Sequence, residues 1–528
     1  MKTKKIFYFL LLLGFLSGCD YLDIVPDNLP TLEMAFNNKS SAERFLFTCY
    51  SFVPEHGKIG TDPGMDVGDE VWYYSDNSAD YSNKTTFWIA KGMQNSNEPL
   101  VDYWNGTQWG KAMFVGIRDC NVFIENIDKV PDLSAYDKET WKAEVKVLKA
   151  FYHFWLMRMY GPIPIVKENI PVSADENEVR VVRDKIDDIV AYTVSLIDES
   201  VDYLPLNIQN EAAEMGRITR PAAKAIKAKI LAFAASPFFN GNLDYANFKN
   251  ADGEPFFNQV YDGEKWTKAA EACLDAIQCA EEAGHGLYEF VNMSSTKLSE
   301  ETVLSLTNRC KVTERWNKEL VWGCGQSGIR DLQVLCQPWL ESNYSSDDRY
   351  HNARNGTFAP TLAVAETFYT KNGVPMDEDR SYDYDNRYTT QVATEADKYY
   401  IQPGYTTAKL HFDREPRFYA TLGFDGSSWY GIGKMDDNDM WYLQAKAKQA
   451  SGKRGNTLYS ITGYFAKKLV RYQNAMVPAS IQIETYPFPI IRLADLYLLY
   501  AEALNEAKKD EGTVPEDCYT YIDKVRVR

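Results

Sequence analysis

Residues 111–127 (KAMFVGIRDCNVFIENI) place Met113, Ile117, Cys120, Ile124 and Ile127 at intervals of 4, 3, 4 and 3. That spacing lines the side chains along one face of an α-helix and demands a partner to cover them. The same alternation returns over 139–160 at Trp141, Val145, Leu148, Tyr152, Trp155 and Met159. Val147, Phe151 and Phe154 lie off that stripe, which predicts a helix packed on two sides. Gly161-Pro162-Ile163-Pro164 then stops it. Residues 184–203 repeat the pattern at Ile186, Ile189, Val190, Thr193, Ile197 and Val201. Residues 221–236 open on Pro221, which suits a first helical turn, and carry seven alanines that let a neighbouring helix come close. Residues 266–283 read as another Ala-rich amphipathic helix, and 490–507 with 516–527 as a last pair.

Successive helices with small residues at their crossings predict a mainly α fold. It resembles a degenerate tetratricopeptide-type helical repeat scaffold with long irregular loop insertions and a few short strands. The scaffold is expected at about 31–51, 111–284 and 489–528. The insertions, about 52–110 and 285–488, are rich in Gly, Asn, Asp, Tyr and Trp. Loops, short strands and short helices packed on the scaffold are expected there. No low-complexity linker divides the chain, so 31–528 reads as a single domain.

The N-terminus has its own logic. Lys2, Lys4 and Lys5 precede an apolar run from Ile6 to Phe15, followed by Leu16-Ser17-Gly18-Cys19. A basic start, roughly ten apolar residues and small residues at the end form a secretory signal over 1–18, too short for a membrane span. Cysteine at the cleavage point resembles the bacterial lipoprotein box, which implies lipidation of Cys19 and a leader over 19–30. Asp20 follows it. An acidic residue there retains some lipoproteins at an inner membrane.

Removing 1–18, with its three lysines, takes the formal charge from −17 to −20. Nucleic acid and anionic lipid both need clustered Lys or Arg, so neither is an expected partner. Eight cysteines follow Cys19, none in a Cys-x-x-Cys pair, and the five histidines have no paired spacing, which argues against structural zinc. No cofactor is expected. Asp377, Asp379, Ser381, Asp383 and Asp385 alternate like a calcium loop. However, Tyr382 stands where Gly is wanted and Tyr388 where Glu is wanted, so a solvated acidic loop is expected. Gly-x-Ser-x-Gly, His-Glu-x-x-His and a phosphate loop are all missing. A surface glycoside hydrolase needs only two carboxylates, so carboxylate abundance signals nothing. His153, inside a buried-looking helix, reads as a satisfied core histidine.

Of twelve tryptophans, nine fall in the insertions: Trp72, Trp88, Trp104, Trp109, Trp316, Trp322, Trp339, Trp429 and Trp441. Tyrosines, amides and carboxylates alternate with them. A flat ring covers the C–H face of a pyranose while neighbouring polar groups satisfy its hydroxyl rim. The same rings also serve to fill irregular cores.

Several blocks carry a family resemblance across nearly the whole mature chain. They are AEVKVLKAFYHFWLMRMYGPIPIV (143–166), GRITRPAAKAIKAKILAFAASPFFNG (216–241), DREPRFYATLG (413–423), TGYFAKKLV (462–470) and PIIRLADLYLLYAEALNEA (489–507). The opening CDYLDIVPDN fits the same leader. Together they resemble the SusD/RagB-like outer-membrane nutrient-binding lipoproteins. The resemblance implies a non-catalytic lipoprotein, lipid-anchored in the outer membrane and facing the cell exterior. It implies glycan or, less often, peptide as ligand, captured and delivered to a TonB-dependent transporter barrel of the SusC type. By position before Pro360-Thr361-Leu362-Ala363 and in the first insertion, it points to Trp72, Tyr73, Tyr74, Trp339 and Tyr344. Trp322, Trp429 and Tyr430 stand behind them. A pure protein-interaction scaffold is the rival without a small-ligand site. The chain stops at Arg528 inside what resembles the family's last helix, where the resemblance implies further chain.

Overall fold

The structure, a computed structural model, describes residues 32–527 except 74–83, 294–295, 326, 342–352, 457 and 478–479. The expected signal, the leader and Cys19 lie outside the described residues, as do Tyr74, Tyr344 and the side chain of Tyr73.

Local sequence sets each scaffold helix. Helix α1 (Lys39–Tyr50) starts at Asn38, whose side chain accepts from the Ser41 N–H at 2.9 Å, and buries Ala42, Leu46 and Cys49. Helix α2 (Met113–Asn126) buries Met113, Ile117 and Cys120 from the expected stripe. Helix α3 (Ala135–Tyr160) is capped by Ser134 and ends at Gly161, φ +69°, ahead of Pro162. It buries Trp141, Val145, Leu148 and Tyr152 together with the off-stripe Val147, Phe151 and Phe154, so both sides are packed. Helix α4 (Ile186–Asp198) ends earlier than the pattern suggests, and Val201–Tyr203 forms a separate 3-10 turn. Helix α5 (Arg220–Ala235) is capped by the Thr219 hydroxyl and buries all its alanines. Helix α6 (Glu264–Glu282) lies against that alanine face.

In the second insertion lie α7 (Glu300–Thr313) and α8 (Ile329–Cys336). The fourteen-residue α7 is longer than the short helices expected there. Its buried residues mix Leu306, Cys310 and Val312 with Thr302, Thr307, Asn308 and Arg309, so polar groups blur its apolar face in the sequence. Helices α9 (Leu493–Ala507) and α10 (Glu516–Arg526) close the chain.

Each scaffold helix packs on the next: α1 on α2, α2 on α3, α3 on α4, α4 on α5, α5 on α6, α6 on α9 and α9 on α10. Contact between α6 and α9 makes the intervening chain an insertion in space as well as in sequence. Its neck is an antiparallel pair of strands, Leu320–Cys324 against Phe488–Arg492. Residues 490–492 therefore belong to a strand, not to the helix expected from 490. Ile490 and Ile491 are β-branched and find a partner strand. The Leu493 N–H then donates to the Glu319 carbonyl at 2.9 Å, and the helix begins.

One main core runs through the scaffold and includes Trp322 and Ile491 from the neck. A second core joins the two insertions through Ile59, Val71, Phe87, Leu332, Phe358, Trp429 and Phe465. Strand Val71–Tyr73 pairs there with Phe358–Pro360.

The motif Gly216–Thr219 has a physical reading. Arg217 lies buried and donates to Glu144 through Nε at 3.0 Å and Nη2 at 2.6 Å. The Tyr50 hydroxyl donates to the same carboxylate and accepts from the Ile218 N–H. Helices α1 and α3 and the segment leading into α5 thus meet on one ion pair. Burial pulls the Glu144 carboxyl upward against the Arg217 charge that pulls it down. His153 is fully buried; Nδ1 donates to the Lys149 carbonyl at 2.8 Å and Nε2 accepts from the Val166 N–H at 3.2 Å.

Candidate functional site

The nine insertion tryptophans divide by burial. Trp72 is 39% exposed, Trp88 46% and Trp109 69%. The other six are buried or half-buried. Trp72 sits on strand Val71–Tyr73 and meets Phe87 edge to face, centroids 4.8 Å apart. Phe87 is buried beneath it, which fixes the base of the Trp72 ring and leaves part of it in water. Trp88 is the next residue, on the short helix Lys84–Ala90.

Trp109 sits at a loop tip with φ +71°, preceded by Gln108 at +48°. Non-glycine residues in this region are uncommon and need outside support. Asp102 supplies part of it. Its carboxylate accepts from the Trp104 and Asn105 N–H groups at 2.9 and 3.1 Å and from the Thr107 hydroxyl at 2.9 Å. Burial pulls the Asp102 carboxyl up, but those hydrogen bonds outweigh it and hold the group below its ordinary value. Trp104, in the same loop, packs edge-on against Phe114 and Tyr160, with Arg183 over its face at 5.0 Å. The loop therefore holds Trp104 in and Trp109 out.

Four of the residues expected to face a ligand do not present a ring to solvent. Trp322 is buried, donates Nε1–H to the Gly216 carbonyl at 3.2 Å and meets Phe151 edge to face. Trp339 is buried and donates Nε1–H to Ala353 at 2.7 Å, while the Ser451 hydroxyl donates to its carbonyl. Trp429 is completely buried between Arg309 and Lys467, 5.4 and 5.8 Å from the ring centroid. Burial pushes the Arg309 guanidinium down to about 10 and drives Lys467 well below its ordinary value. Tyr430 is buried against Tyr472, its hydroxyl donating to the Met435 carbonyl at 3.1 Å. Trp322 belongs to the scaffold core, Trp429 to the core joining the insertions and Tyr430 to a smaller one, which is the competing use of the same chemistry. Of the remaining expected positions, Trp72 alone has a described, exposed ring.

Trp88 and Trp109, exposed indoles of the first insertion, were not among the expected site residues. Trp109 stood in Asn105-Gly106-Thr107-Gln108-Trp109-Gly110, and an indole between turn residues has few neighbours to bury it. No comparable signal marked Trp88.

The acidic run lies in separate turns. Asp379 accepts from the Thr370 hydroxyl, Asn372 Nδ2, and the Ser381 N–H and hydroxyl, which hold its carboxyl far below the carboxylate range. Asp383 pairs with Lys409. Among the described residues no group of His, Cys, Asp or Glu is arranged to hold a metal ion.

A sequence profile of the SusD family matches residues 331–528. A second, described as starch-binding associating with outer membrane, matches residues 20–231. The chain belongs to the SusD family. The structure named BT4246 superposes with a TM-score of 0.76 at 27% identity, covering 93% of this chain and 81% of that one. A SusD-like protein (BF3747) from Bacteroides fragilis superposes at 0.63 and 17% identity, over 93% and 79% of the two chains. A SusD-like carbohydrate-binding protein (BF0978) from the same species does so at 0.54 and 18%, over 93% and 78%. The last two show the fold. By sequence, SusD-like protein P25 of Formosa agariphila is 22% identical over 240 residues, 44% of this chain and 43% of that relative. The match spans less than half of the relative's length. Among the described residues, no helix is long and apolar enough to cross a membrane.

Proposed function

We propose that this SusD-family chain is a non-catalytic, cell-surface glycan-binding lipoprotein. It captures oligo- or polysaccharide and passes it to a TonB-dependent transporter of the SusC type. The observation that carries the ligand reading is the set of exposed indoles in the first insertion: Trp72, Trp88 and Trp109. A rigid ring held in water by its own loop is suited to stack on a sugar face at little entropic cost. Tyr73, Tyr74 and Tyr344, expected from the sequence, are proposed as further ligand residues. The starch-binding description of one family profile and the carbohydrate-binding name of one similar structure favour glycan over peptide. Anchoring through lipidated Cys19 at the outer face of the outer membrane completes the proposal.

Calorimetric titration of residues 20–528 against polysaccharides, oligosaccharides and peptides, with a check for breakdown products, tests it. Glycan binding without breakdown is expected, weakened about tenfold, or ~1.4 kcal/mol, by Trp72→Ala or Trp109→Ala. Breakdown would make the chain an enzyme. Peptide binding alone would make it a peptide-capturing member of the family.

A further inference from the structure

The eight cysteines after Cys19 are all buried and stand as thiols. Cys310 and Cys336 lie in separate cores outside the scaffold. Cys273 and Cys279 share α6, about 9 Å apart along its axis. Cys49 on α1 and Cys120 on α2 are placed differently. Both belong to the scaffold core, both are completely buried, and their helices pack on each other.

The register of that packing brings them together. Phe45 of α1 stacks on Phe123 of α2, ring centroids 6.3 Å apart. Phe52, just beyond α1, lies against Gly116 of α2, where a side-chain carbon would meet the ring at 2.8 Å. Residue number rises along α1 between these two contacts and falls along α2, so the helices run antiparallel. Four residues on from Phe45 is Cys49, and three back from Phe123 is Cys120. From the other contact, three back from Phe52 and four on from Gly116 reach the same two positions. The cysteines therefore face each other across the helix pair. The Cys120 thiol, and then burial, push the Cys49 thiol far above its ordinary value, as a neighbouring sulfur does. Cα atoms lie ~2.3 Å from a helix axis and packed axes are ~8–10 Å apart, so facing Cα atoms come within ~3.5–5.5 Å. A disulfide spans about 4.4–6.8 Å between Cα atoms, a range such a pair can meet.

We propose that Cys49 and Cys120 join in a disulfide when the chain folds under oxidising conditions. The oxidant is itself a disulfide, either oxidised glutathione or a dithiol–disulfide protein. One cysteine thiolate attacks it, forms a mixed disulfide and displaces the oxidant's other sulfur as a thiolate. The second cysteine thiolate then attacks the mixed disulfide at its own partner's sulfur and closes the Cys49–Cys120 bond. The chain gives up two protons and two electrons, and the oxidant's disulfide becomes two thiols. Thiolate is the reactive form. The closed core opposes ionisation and bars the oxidant, so the bond forms as α1 and α2 come together. It ties residues 50–119 at their base, the stretch that holds Trp72, Trp88 and Trp109. A chain closed in this way has fewer unfolded conformations. The pairing goes beyond glycan capture and does not depend on it.

The test takes the full chain in mild detergent, unfolds and reduces it, and refolds it either in a glutathione redox buffer or in excess reductant. Recovery of the helical circular-dichroism signal is checked in both. Remaining thiols are alkylated under denaturing conditions and the peptides are mapped by mass. After oxidative refolding, the Cys49 and Cys120 peptides are expected to be joined. The native chain should then melt at a higher midpoint than its reductively refolded form, whereas Cys49→Ala and Cys120→Ala should each melt alike in both. Alkylated Cys49 and Cys120 after oxidative refolding, or either one joined to another cysteine, overturns the proposal. So does an equal drop on reduction in the alanine variants. The refolding result does not depend on where the cell places the chain. A bond formed on refolding but missing from chain taken directly from cells would keep the pairing and count against export to an oxidising compartment, so the two readings fail separately.

Discussion

Trp109 and Trp429 are the same residue put to opposite uses. Trp109 is held out by a loop built on Asp102. Trp429 is enclosed, with Arg309 and Lys467 on its faces and neither cation hydrogen-bonded to a carboxylate. Arg309 donates to the Val470 and Tyr430 carbonyls, Lys467 to those of Tyr419 and Ser428. Removing the Trp429 ring leaves a cavity and strips two buried cations of a π partner. Trp429→Ala should therefore destabilise the protein by about 3–5 kcal/mol. Urea unfolding followed by far-UV circular dichroism measures this. A loss below ~1 kcal/mol would show that the ring is not the centre of the insertion core. Both tryptophans lie among glycines and polar residues in the sequence, so the residue type is legible there and its use is not.

Among the elements, α5 was the most legible. Pro221 and the alanines marked its first turn and the closeness of its neighbour α6, while the structure adds the Thr219 cap one residue before its start at Arg220. Ala228 is completely buried on this helix. Ala228→Leu would force α5 away from its neighbours and cost about 1–3 kcal/mol, read as a lower thermal midpoint. An unchanged midpoint would mean that the alanine face has spare room. By contrast, α7 was hard to read because polar residues share its buried side with Leu306, Cys310 and Val312. The Thr307 hydroxyl accepts from the Phe290 N–H, and Arg309 donates to carbonyls supplied by residues more than a hundred positions away. The boundary at 490–493 was misread for a related reason. A partner strand at Leu320–Cys324 takes up the backbone before the helix starts.

Across the whole molecule, two buried histidines couple the scaffold and the insertion lobe to pH. Burial pushes His153 down to about 4 and His411 to about 3. His411 lies between Thr407 and Tyr464, stacked on Phe424. Both are neutral in the folded chain, while in the unfolded chain they take up protons near pH 6.5. The unfolded state therefore binds more protons as pH falls below 6.5, and stability is lost in that direction. Each histidine withdraws up to about 3 kcal/mol by pH 4. The urea midpoint should fall between pH 7 and pH 4.5, and less steeply in His153→Gln. His153 and His411 resonances titrating near 6.5 in the folded protein would refute this. The sequence alone determined the order of scaffold helices and their apolar faces, because a helix writes its contacts into residues three and four apart. It also carried the family blocks, since Gly161, the Glu144–Arg217 pair and the Thr219 cap serve that scaffold. Only the tertiary structure decided which aromatic rings face water. A ring on an irregular loop is covered by residues distant in sequence, as Phe151 and Gly216 meet the Trp322 indole and Arg309 lies over Trp429, and no local period records that meeting.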